Sequence, residues 1–567
     1  MNKNRFTFFV VLGLVLMLLL TACGSKVDNS ANNGGDTDVV EAVDNNTEVE
    51  NASEDVEEPV VEEVAGPSGT LVWALTSDPP SSSWLETKPE QYVYQTMFNA
   101  LVRYSTEDFS IEPDLAASWE VDDQGLVWVF YLRDDVLWHD GEQFTAEDVK
   151  FSFETILNPD VNAGYHRGNL ANVESIEVLD DFTLKITMIN PDFDFLPLLG
   201  DFMHIYPAHI LEGLNINEDI TFINHPIGTG PFKFEEHLLN ESYTVVANLD
   251  YFKGAPKLER IIFKVLPDTN VHVAQLRTGE IDVSHRIGAS EVAALAGVDG
   301  ITILSPETIA YWHVFMNVTD PLLQDPLVRQ ALTYSLNRQE IIDEVMDGFG
   351  DLGSGPVGPA YGIWRNPDLE PYAFDPAKAV ELFKEAGWED TDGDGILDKD
   401  IDGDGVSDPW KSEIIVIPHE SAWADIALVA QQQWKDIGLD ITLGHYDTAT
   451  GFGLVRSDDY TLYVGSRGPV PSPVDISRYY GCDAGGNWFH YCNEEVDALI
   501  QEARQTADET ARLALYYQAE VILLEDQPSI VMFYVADLQA VNDRVQGWND
   551  KAVRFNFLDI ADISISD

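Results

Sequence analysis

Runs typical of strands and runs typical of helices alternate through most of the chain, and this alternation restricts the fold more than any other feature. The apolar run LVWVFYLR at 126–133 is rich in aromatic and β-branched residues, which is typical of a buried strand. The run TLKITMI at 183–189 alternates apolar and polar residues. Asp followed by Pro, at 325–326 and again at 375–376, opens two helical runs. The mixture predicts an α/β protein with more than one lobe.

Size and charge narrow the class further. A chain of 567 residues, 45% of them hydrophobic, can bury a large core in at least two domains. It carries 98 acidic and 32 basic residues, a formal net charge of -66. Such a surface repels phosphate backbones, so we expect no nucleic-acid partner.

The N-terminus has the pattern of an export signal. Lys3 and Arg5 precede an apolar run at 8–20 that is too short to span a bilayer comfortably. The residues LTAC at 20–23 resemble a bacterial lipobox, which implies cleavage before Cys23 and a lipid on its thiol. The alternative is an ordinary signal peptide with a chance Cys.

The composition then changes to Asn, Asp, Glu, Val and Gly with no helical or strand period. Such a segment cannot bury enough apolar surface to fold, so we expect a flexible acidic tether. The predicted organisation is therefore a signal peptide at 1–22, lipidated Cys23 with its tether up to residue 68, and a folded part from residue 69. A lipid-anchored chain of this kind would lie outside the cytoplasm, on the cell membrane.

Two of the three cysteines lie in the short stretch CDAGGNWFHYC. With Cys23 lipidated, Cys482 and Cys492 remain, and in an exported chain two such thiols favour a disulfide that closes a small loop. The alternative, a metal site, would need more ligands at tighter spacing.

The stretch EDTDGDGILDKDIDGDGVSDPW at 389–410 contains two D-x-D-x-D-G units. This spacing turns carboxylate oxygens toward a hard cation, and Gly permits the sharp turn. Neither unit has the Glu of an EF-hand at position 12, so we expect structural calcium in an insertion, with a solvated acidic loop as the alternative. The expected ligands are Asp390, Asp392, Asp394, Asp398, Asp400, Asp402, Asp404 and Asp408.

Several segments of the folded part carry a family resemblance. They include PDLAASWEVDDQGLVWVFYLRDDVLWHDGEQFTAEDVKFSFE at 113–154, HPIGTGPFKF at 225–234, LRTGEIDV at 276–283 and DPLVRQALTYSLNRQEII at 325–342. In this order they resemble the bacterial extracellular solute-binding proteins of family 5, which include dipeptide-, oligopeptide- and nickel-binding proteins.

The resemblance implies a two-lobed periplasmic-binding-protein-like fold of type II, of the large cluster with an extra subdomain. Hinge-joined lobes would then enclose a ligand cleft. The first lobe would comprise 69–309 and 535–567, with the extra subdomain at about 104–225. The second would comprise 310–534 and contain the insertion at 389–410. A ligand that contacts both lobes favours the closed state. The implied partners are the permease and ATPase of an ABC importer, and we expect a monomer without a cofactor for its function.

Peptide-binding members of the family carry the pattern G-W-x-x-D-x-x-D-P, whose first Asp holds the α-ammonium group. The corresponding stretch here is GSRGPVPSP at 465–473, with Ser466 in place of Trp and Pro469 in place of Asp. Either Asp475 or another acid replaces that carboxylate, or the ligand is not an ordinary free-amino peptide, because an unpaired buried charge is costly. Arg467 suits a carboxylate or other anion. The alternative is an exposed Arg paired with one of the many acids.

Two more loops are expected to line the cleft, and their Trp rings could stack on a sugar or an apolar side chain, although core positions are the alternative. The further candidates are Ser81, Ser82, Ser83, Trp84, Tyr311, His419, Glu420 and Trp423.

The sequence thus predicts a receptor for a peptide or peptide-like solute. The alternatives are an oligosaccharide, glycoside or chelated-metal receptor and, last, a secreted hydrolase. His419-Glu420 begins like a zinc-protease motif, but Trp423 stands where the second His is required. The chain contains neither G-x-S-x-G nor G-x-x-x-x-G-K-[ST]. We therefore expect no catalytic residues.

Overall fold

A computed structural model describes residues 66–79, 85, 91–200, 203–218, 221–285, 287–418, 421–467, 474–551 and 557–566, all within one compact unit. The predicted signal peptide, Cys23 and the tether up to residue 65 lie outside this part of the chain. None of its helices has the length and apolar character needed to cross a membrane.

Strands and helices intermix along the chain, as the sequence predicts. The strands are β1 Thr70–Leu75, β2 Val102–Tyr104, β3 Ile111–Pro113, β4 Ala116–Val121, β5 Val127–Leu132, β6 Val173–Asp180, β7 Thr183–Met188, β8 Phe232–Leu238, β9 Ser242–Ala247, β10 Arg260–Val265, β11 Val283–His285, β12 Ile301–Leu304, β13 Glu307–Met316, β14 Asp351–Leu352, β15 Asp398–Lys399, β16 Asp408–Pro409, β17 Lys411–Val416, β18 Asp440–His445, β19 Leu462–Arg467, β20 Ser529–Ala536, β21 Gln539–Asn542, β22 Val545–Gln546 and β23 Ser564–Ile565.

The α-helices are α1 Ala146–Leu157, α2 Gly164–Asn169, α3 Phe195–Leu199, α4 Ala208–Leu211, α5 Thr221–Asn224, α6 Thr269–Thr278, α7 Ala289–Leu295, α8 Pro326–Tyr334, α9 Arg338–Val345, α10 Pro376–Glu385, α11 Ser421–Lys435, α12 Thr448–Arg456, α13 Val474–Tyr480, α14 Glu494–Arg504 and α15 Glu509–Asp526. Short 3₁₀ helices lie at Gln91–Thr96, Pro359–Trp364 and Phe557–Asp562.

Two large mixed sheets organise these elements. The first has seven strands in the order β12-β21-β11-β1-β10-β9-β8, with β1 parallel to β10 and β11. The second has six strands in the order β14-β20-β13-β19-β17-β18, with β17 parallel to β18 and β19. Each sheet is buried in its own large cluster of apolar side chains.

In the described residues the chain passes between the two large sheets twice. It leaves β12 of the seven-stranded sheet for β13 of the six-stranded sheet, and it returns from β20 to β21. β13 and β20 are antiparallel neighbours, so both passages lie side by side. If the two sheets moved apart, only a few backbone dihedrals in these two passages would have to change. The lobe boundaries at 309/310 and 534/535 stay a prediction.

A separate four-stranded antiparallel sheet, β4-β5-β7-β6, follows the first sheet's opening strand in the chain. β7 buries Leu184, Ile186 and Met188, as its alternation predicts. The predicted buried strand at 126–133 is found as β5, but only alternate residues are buried, and Tyr131 is 38% exposed. An antiparallel sheet packed on one face leaves the other face near water, and an aromatic side chain is tolerated there.

The two predicted helix starts are confirmed. Asp325 caps α8 by accepting a hydrogen bond from the backbone N–H of Leu327, and Asp375 caps α10 by accepting one from Lys378. The run after Pro326 is two helices and not one, because Asn337 caps the new helix α9.

Two of the resembling segments meet through His139. The backbone N–H of Gly228 donates to its Nδ1 at 3.1 Å, and its Nε2 lies 3.1 Å from the carbonyl oxygen of Gly230. Burial lowers the pKa of His139 to about 4, so a neutral ring makes both contacts. A Cβ at Gly228 would lie 1.8 Å from the carbonyl oxygen of Met97, so only Gly fits this turn.

Candidate ligand-binding cleft

A cavity of about 710 Å³ lies between two parts of the chain that are far apart in sequence. One wall comes from α2, the residues just after it and α3. In the chain, α2 lies between β5 and β6 of the four-stranded sheet, and α3 follows β7. The other comes from the end of β19, from α13 and α14, and from the loop between these two helices. The lining residues used below are Asn169, Arg467, Arg478, Tyr479, Trp488 and Arg504.

The loop between α13 and α14 is closed by a disulfide between Cys482 and Cys492, the pairing that the spacing favours. Asn487 holds the inside of the loop, since its Nδ2 donates to the carbonyls of Gly481 at 2.9 Å and Tyr491 at 2.6 Å. The loop therefore presents Trp488 from a fixed backbone.

Arg467, the last residue of β19, is 7% exposed and is enclosed by aromatic rings. Its guanidinium carbon lies 4.3 Å from the ring centre of Tyr479, 4.5 Å from that of Trp488, 4.9 Å from that of Phe315 and 5.6 Å from that of Phe489. These distances are those of cation–π contacts. One Nη atom donates to the carbonyl of Gly486 at 2.8 Å.

The two walls of the cavity are joined by buried ion pairs. Asp192 and Asp194, between β7 and α3, each have a side chain only 1% exposed. Arg504 of α14 pairs with Asp192, and Arg512 of α15 pairs with Asp194 at 3.0 Å. The backbone N–H of Phe193 donates to the carbonyl of Arg504 at 2.8 Å.

Further polar contacts reinforce this junction. The hydroxyl of Tyr516 donates to Asp194, and Arg478 donates to the side-chain oxygen of Asn169. Burial raises the pKa of Asp194 to about 6, and the charge of Arg512 and the hydroxyl of Tyr516 offset part of the rise. We call Asp192, Asp194, Arg504, Arg512 and Tyr516 the inter-wall cluster.

The structure places the predicted cleft residues unevenly. Arg467 lines the cavity, and Ser466 lies half-buried beside it on β19 without lining it. The remaining predicted residues lie outside the part of the chain that the structure describes: Ser81, Ser82, Ser83, Trp84, His419, Glu420, Pro469 and the side chain of Asp475.

Two aromatic predictions are corrected. Trp423 is 2% exposed in the core of the six-stranded sheet, where its ring meets Trp312 and Tyr463 edge to face, so no face is left for a solute. α11 turns this residue inward because its apolar face packs on the sheet. Tyr311 is 1% exposed, and its hydroxyl lies 3.4 Å from that of Tyr480. The alternative for Arg467, an exposed side chain paired with one of the many acids, is also wrong, because Arg467 is buried.

The sequence reasoning missed the residues of α13, α14 and the disulfide loop. Trp488 was considered only as part of the disulfide-closed loop, and Tyr479 and Arg504 were not singled out, yet all three line one wall. A usable signal was present: Arg is scarce in this acidic chain, and 478 and 504 flank the predicted disulfide.

The Asp-rich stretch forms two similar loops on the surface. One group of neighbouring carboxylates is Asp390, Asp392 and Asp398, and a second is Asp400, Asp402 and Asp404. Each loop repeats the same hydrogen bonds: Asp390 accepts from the N–H groups of Gly393 and Gly395, and Asp400 accepts from Gly403 and Gly405.

The other two predicted ligands are placed differently. Asp394 accepts from the N–H of Ile396, and Asp408 pairs with Lys399 across the β15–β16 ladder. Neither belongs to the two carboxylate groups, and each has a local backbone role.

The chain forms two mixed sheets that are joined by two adjacent passages, and a solute-sized cavity lies between distant parts of the chain. These features define a two-lobed solute-binding fold of type II. The family model for bacterial extracellular solute-binding proteins, family 5 (middle), matches residues 110–488. The chain belongs to this family, as the resemblance of its segments predicts. This membership confirms the prediction of a solute-binding protein and not an enzyme.

Individual relatives agree along most of the chain. The oligopeptide-binding protein AppA of Bacillus subtilis (strain 168) is 28% identical over 567 aligned residues, which cover 96% of each chain. The solved structure of AppA from Bacillus subtilis with a nonapeptide has a TM-score of 0.73 at 26% identity, over 88% of this chain and 100% of that one. NikZ from Campylobacter jejuni with Ni(L-His) has a TM-score of 0.73 at 27% identity, over the same shares.

The inter-wall cluster generates a stability prediction. Asp192→Asn leaves the largely buried Arg504 without its counter-ion, so we expect the free energy of unfolding to fall by about 3 to 5 kcal/mol. Asp135→Asn breaks the exposed Arg133–Asp135 pair and should cost less than about 1 kcal/mol. Denaturant unfolding of both variants measures the difference. Equal, small losses would show that the pair does not hold the two walls.

Proposed function

We propose that the protein is the extracytoplasmic receptor of an ABC importer and that it binds a peptide or peptide-like solute. The observation that carries the proposal is the cavity between α2–α3 and α13–α14, because one solute in it would contact both walls. Such contacts favour a closed state over an open one, and a permease can recognise the closed surface.

The relatives support peptide as the class of solute. The curated relatives include an oligopeptide-binding protein and a dipeptide-binding protein of Escherichia coli (strain K12), which is 26% identical over 80% of this chain. A volume of about 710 Å³ suits a small solute. Tyr479 and Trp488 supply apolar surface for its side chains.

A chelated metal is the second candidate, and NikZ with Ni(L-His) is the observation that favours it. Such a complex presents an amino-acid surface to the protein, so the same cavity suits it. An oligosaccharide has less support, because the ring of Trp423, which could have stacked on a sugar, lies in the core.

The importer's permease and ATPase would be the protein partners, and we propose that one chain acts alone as a monomer. Native mass spectrometry of the mature chain, extracted from membranes in detergent, tests the ligand class. We expect one bound molecule per chain with the mass of a peptide. A bound nickel complex or sugar would contradict the peptide class. The receptor function would be contradicted if the chain retained no solute and if X-ray scattering showed no compaction when peptides are added.

We further propose that the mature chain is held on the membrane by a lipid on Cys23, on the strength of the LTAC sequence at 20–23. A multiply acylated Cys anchors firmly, because each buried CH₂ contributes about 0.8 kcal/mol. The intact mass of the chain should correspond to a start at Cys23 plus diacylglycerol. An unlipidated chain, or one cut elsewhere, would contradict the anchor.

Calcium in the loops at 390–408 is a structural proposal, supported by the repeated D-x-D-x-D-G spacing. Its role would be to neutralise the carboxylates and stiffen the insertion. With millimolar-range sites, about 10 mM calcium should raise the free energy of unfolding by about 1.4 to 2.7 kcal/mol for each site.

Thermal unfolding with calcium, and after EDTA, measures this effect at matched ionic strength. The double variant Asp392→Asn, Asp402→Asn should lose the calcium response. The charge-matched variant Asp123→Asn, Asp299→Asn, at exposed positions outside the loops, should keep it. An equal response in both variants would mean that calcium acts elsewhere.

A further inference from the structure

Arg467 is a buried cation that has no counter-ion among the residues that the structure describes. Among the described residues its side chain makes one hydrogen bond, to the carbonyl of Gly486, and its Nε has no acceptor there. No carboxylate in that part of the chain pairs with it, although the chain has 98 acidic residues. A buried charge in this condition is costly unless something else supplies the opposite charge.

The surroundings do not supply that charge. Burial, and then the charge of Arg467, hold the pKa of His313 well below its usual value, so that ring is neutral. The four aromatic rings stabilise the cation only in part, through their electron-rich faces. Asp497 lines the same cavity, but its carboxylate accepts from the backbone N–H of Cys482. Asp483 is exposed at the cavity's edge.

The cavity also differs in charge from the rest of the molecule. Three of the chain's 32 basic residues, Arg467, Arg478 and Arg504, line this one cavity. Arg504 is neutralised by Asp192, and Arg478 contacts Asn169. A chain with a net charge of -66 repels anions at long range, so an anionic group in this cavity would need local stabilisation, which a cation can supply.

A purely structural role for Arg467 explains less. It would account for the stacking on Tyr479 and Trp488 and for the bond to Gly486. It would leave unexplained why a guanidinium with an unused donor is kept at the wall of a solute-sized cavity. Functional sites commonly retain such unfavourable groups because the ligand completes them.

We propose that Arg467 anchors a carboxylate of the bound solute, and that the protein therefore selects acidic solutes over their neutral counterparts. This inference rests on the proposed receptor function and adds the chemical class of the group that is recognised. A guanidinium binds a carboxylate through charge-assisted hydrogen bonds, and the flanking rings keep water from competing. A peptide C-terminus and a sugar acid both offer this group.

Two pairs of probes test the proposal, each pair differing in its carboxylate. The first is N-acetyl-trialanine and its C-terminal amide, and the second is glucuronate and glucose. Calorimetric titration of the full-length protein, freed of any bound solute, should show the acid of one pair binding about 10- to 100-fold more tightly than its neutral partner. The pair that responds identifies a peptide or a sugar acid as the source.

Variants assign the preference to the residue. Arg467→Gln should abolish the difference between acid and neutral probe, and Arg467→Lys, which keeps the charge but not the planar fork, should keep part of it. Arg456→Gln is the matched control: Arg456 lies over the rings of Phe452 and Trp488 at 5.7 and 5.5 Å but does not line the cavity. It should leave the preference unchanged.

Equal binding of acid and neutral probes, or no binding of either acid, would overturn the proposal. An unchanged preference in Arg467→Gln would also overturn it. If Arg467→Gln does not fold, the probe pairs on wild type and Arg467→Lys decide. Failure of the carboxylate anchor can be told apart from failure of the receptor function. A neutral solute that stays bound in native mass spectrometry would refute the anchor and leave the receptor function intact.

Discussion

The cavity depends on one electrostatic constraint: a charge taken out of water must meet an opposite charge or several hydrogen-bond partners. Asp192 and Asp194 satisfy it with Arg504 and Arg512, and in doing so they join the two sides of the cavity. Arg504 belongs to one wall and Arg512 to α15, which packs on α14, whereas both Asp residues come from the segment before α3. Separating the walls would therefore leave buried charges unpaired. The geometry of the cavity is therefore held by the same ion pairs that make its walls expensive to separate.

Arg467 meets the constraint only in part. The rings of Tyr479 and Trp488 and the carbonyl of Gly486 stabilise its charge, but no carboxylate does so in the described residues. The contrast with the fully paired Arg504, in the same cavity, distinguishes a group that builds the wall from one that is available to a solute. In a chain this acidic, an unpaired buried cation is the less expected arrangement.

The fold by itself does not determine the solute. A relative solved with a nonapeptide and another solved with Ni(L-His) superpose on this chain with the same TM-score of 0.73. Both solutes are accommodated by one architecture of two sheets and two passages, so the choice between them depends on the side chains of the cleft. In the described residues of this chain, the side chains that line the cavity include Tyr479, Trp488 and Arg467.

Local sequence signals determined much of the architecture. Alternation predicted the buried face of β7, Asp-Pro starts predicted α8 and α10, and cysteine spacing favoured the disulfide at 482 and 492. These features depend on neighbours within a few residues, and several segments in a fixed order indicated the family. What only the tertiary structure decided is which distant residues meet. Asp192 and Arg504 are 312 positions apart, and Trp423 faces the core instead of the cleft because of how α11 packs. Periodicity reports which face of an element is apolar, but pairing between faces depends on the whole fold. The sequence therefore singled out Arg467, while only the structure showed that its charge is buried and has no carboxylate partner in the described residues.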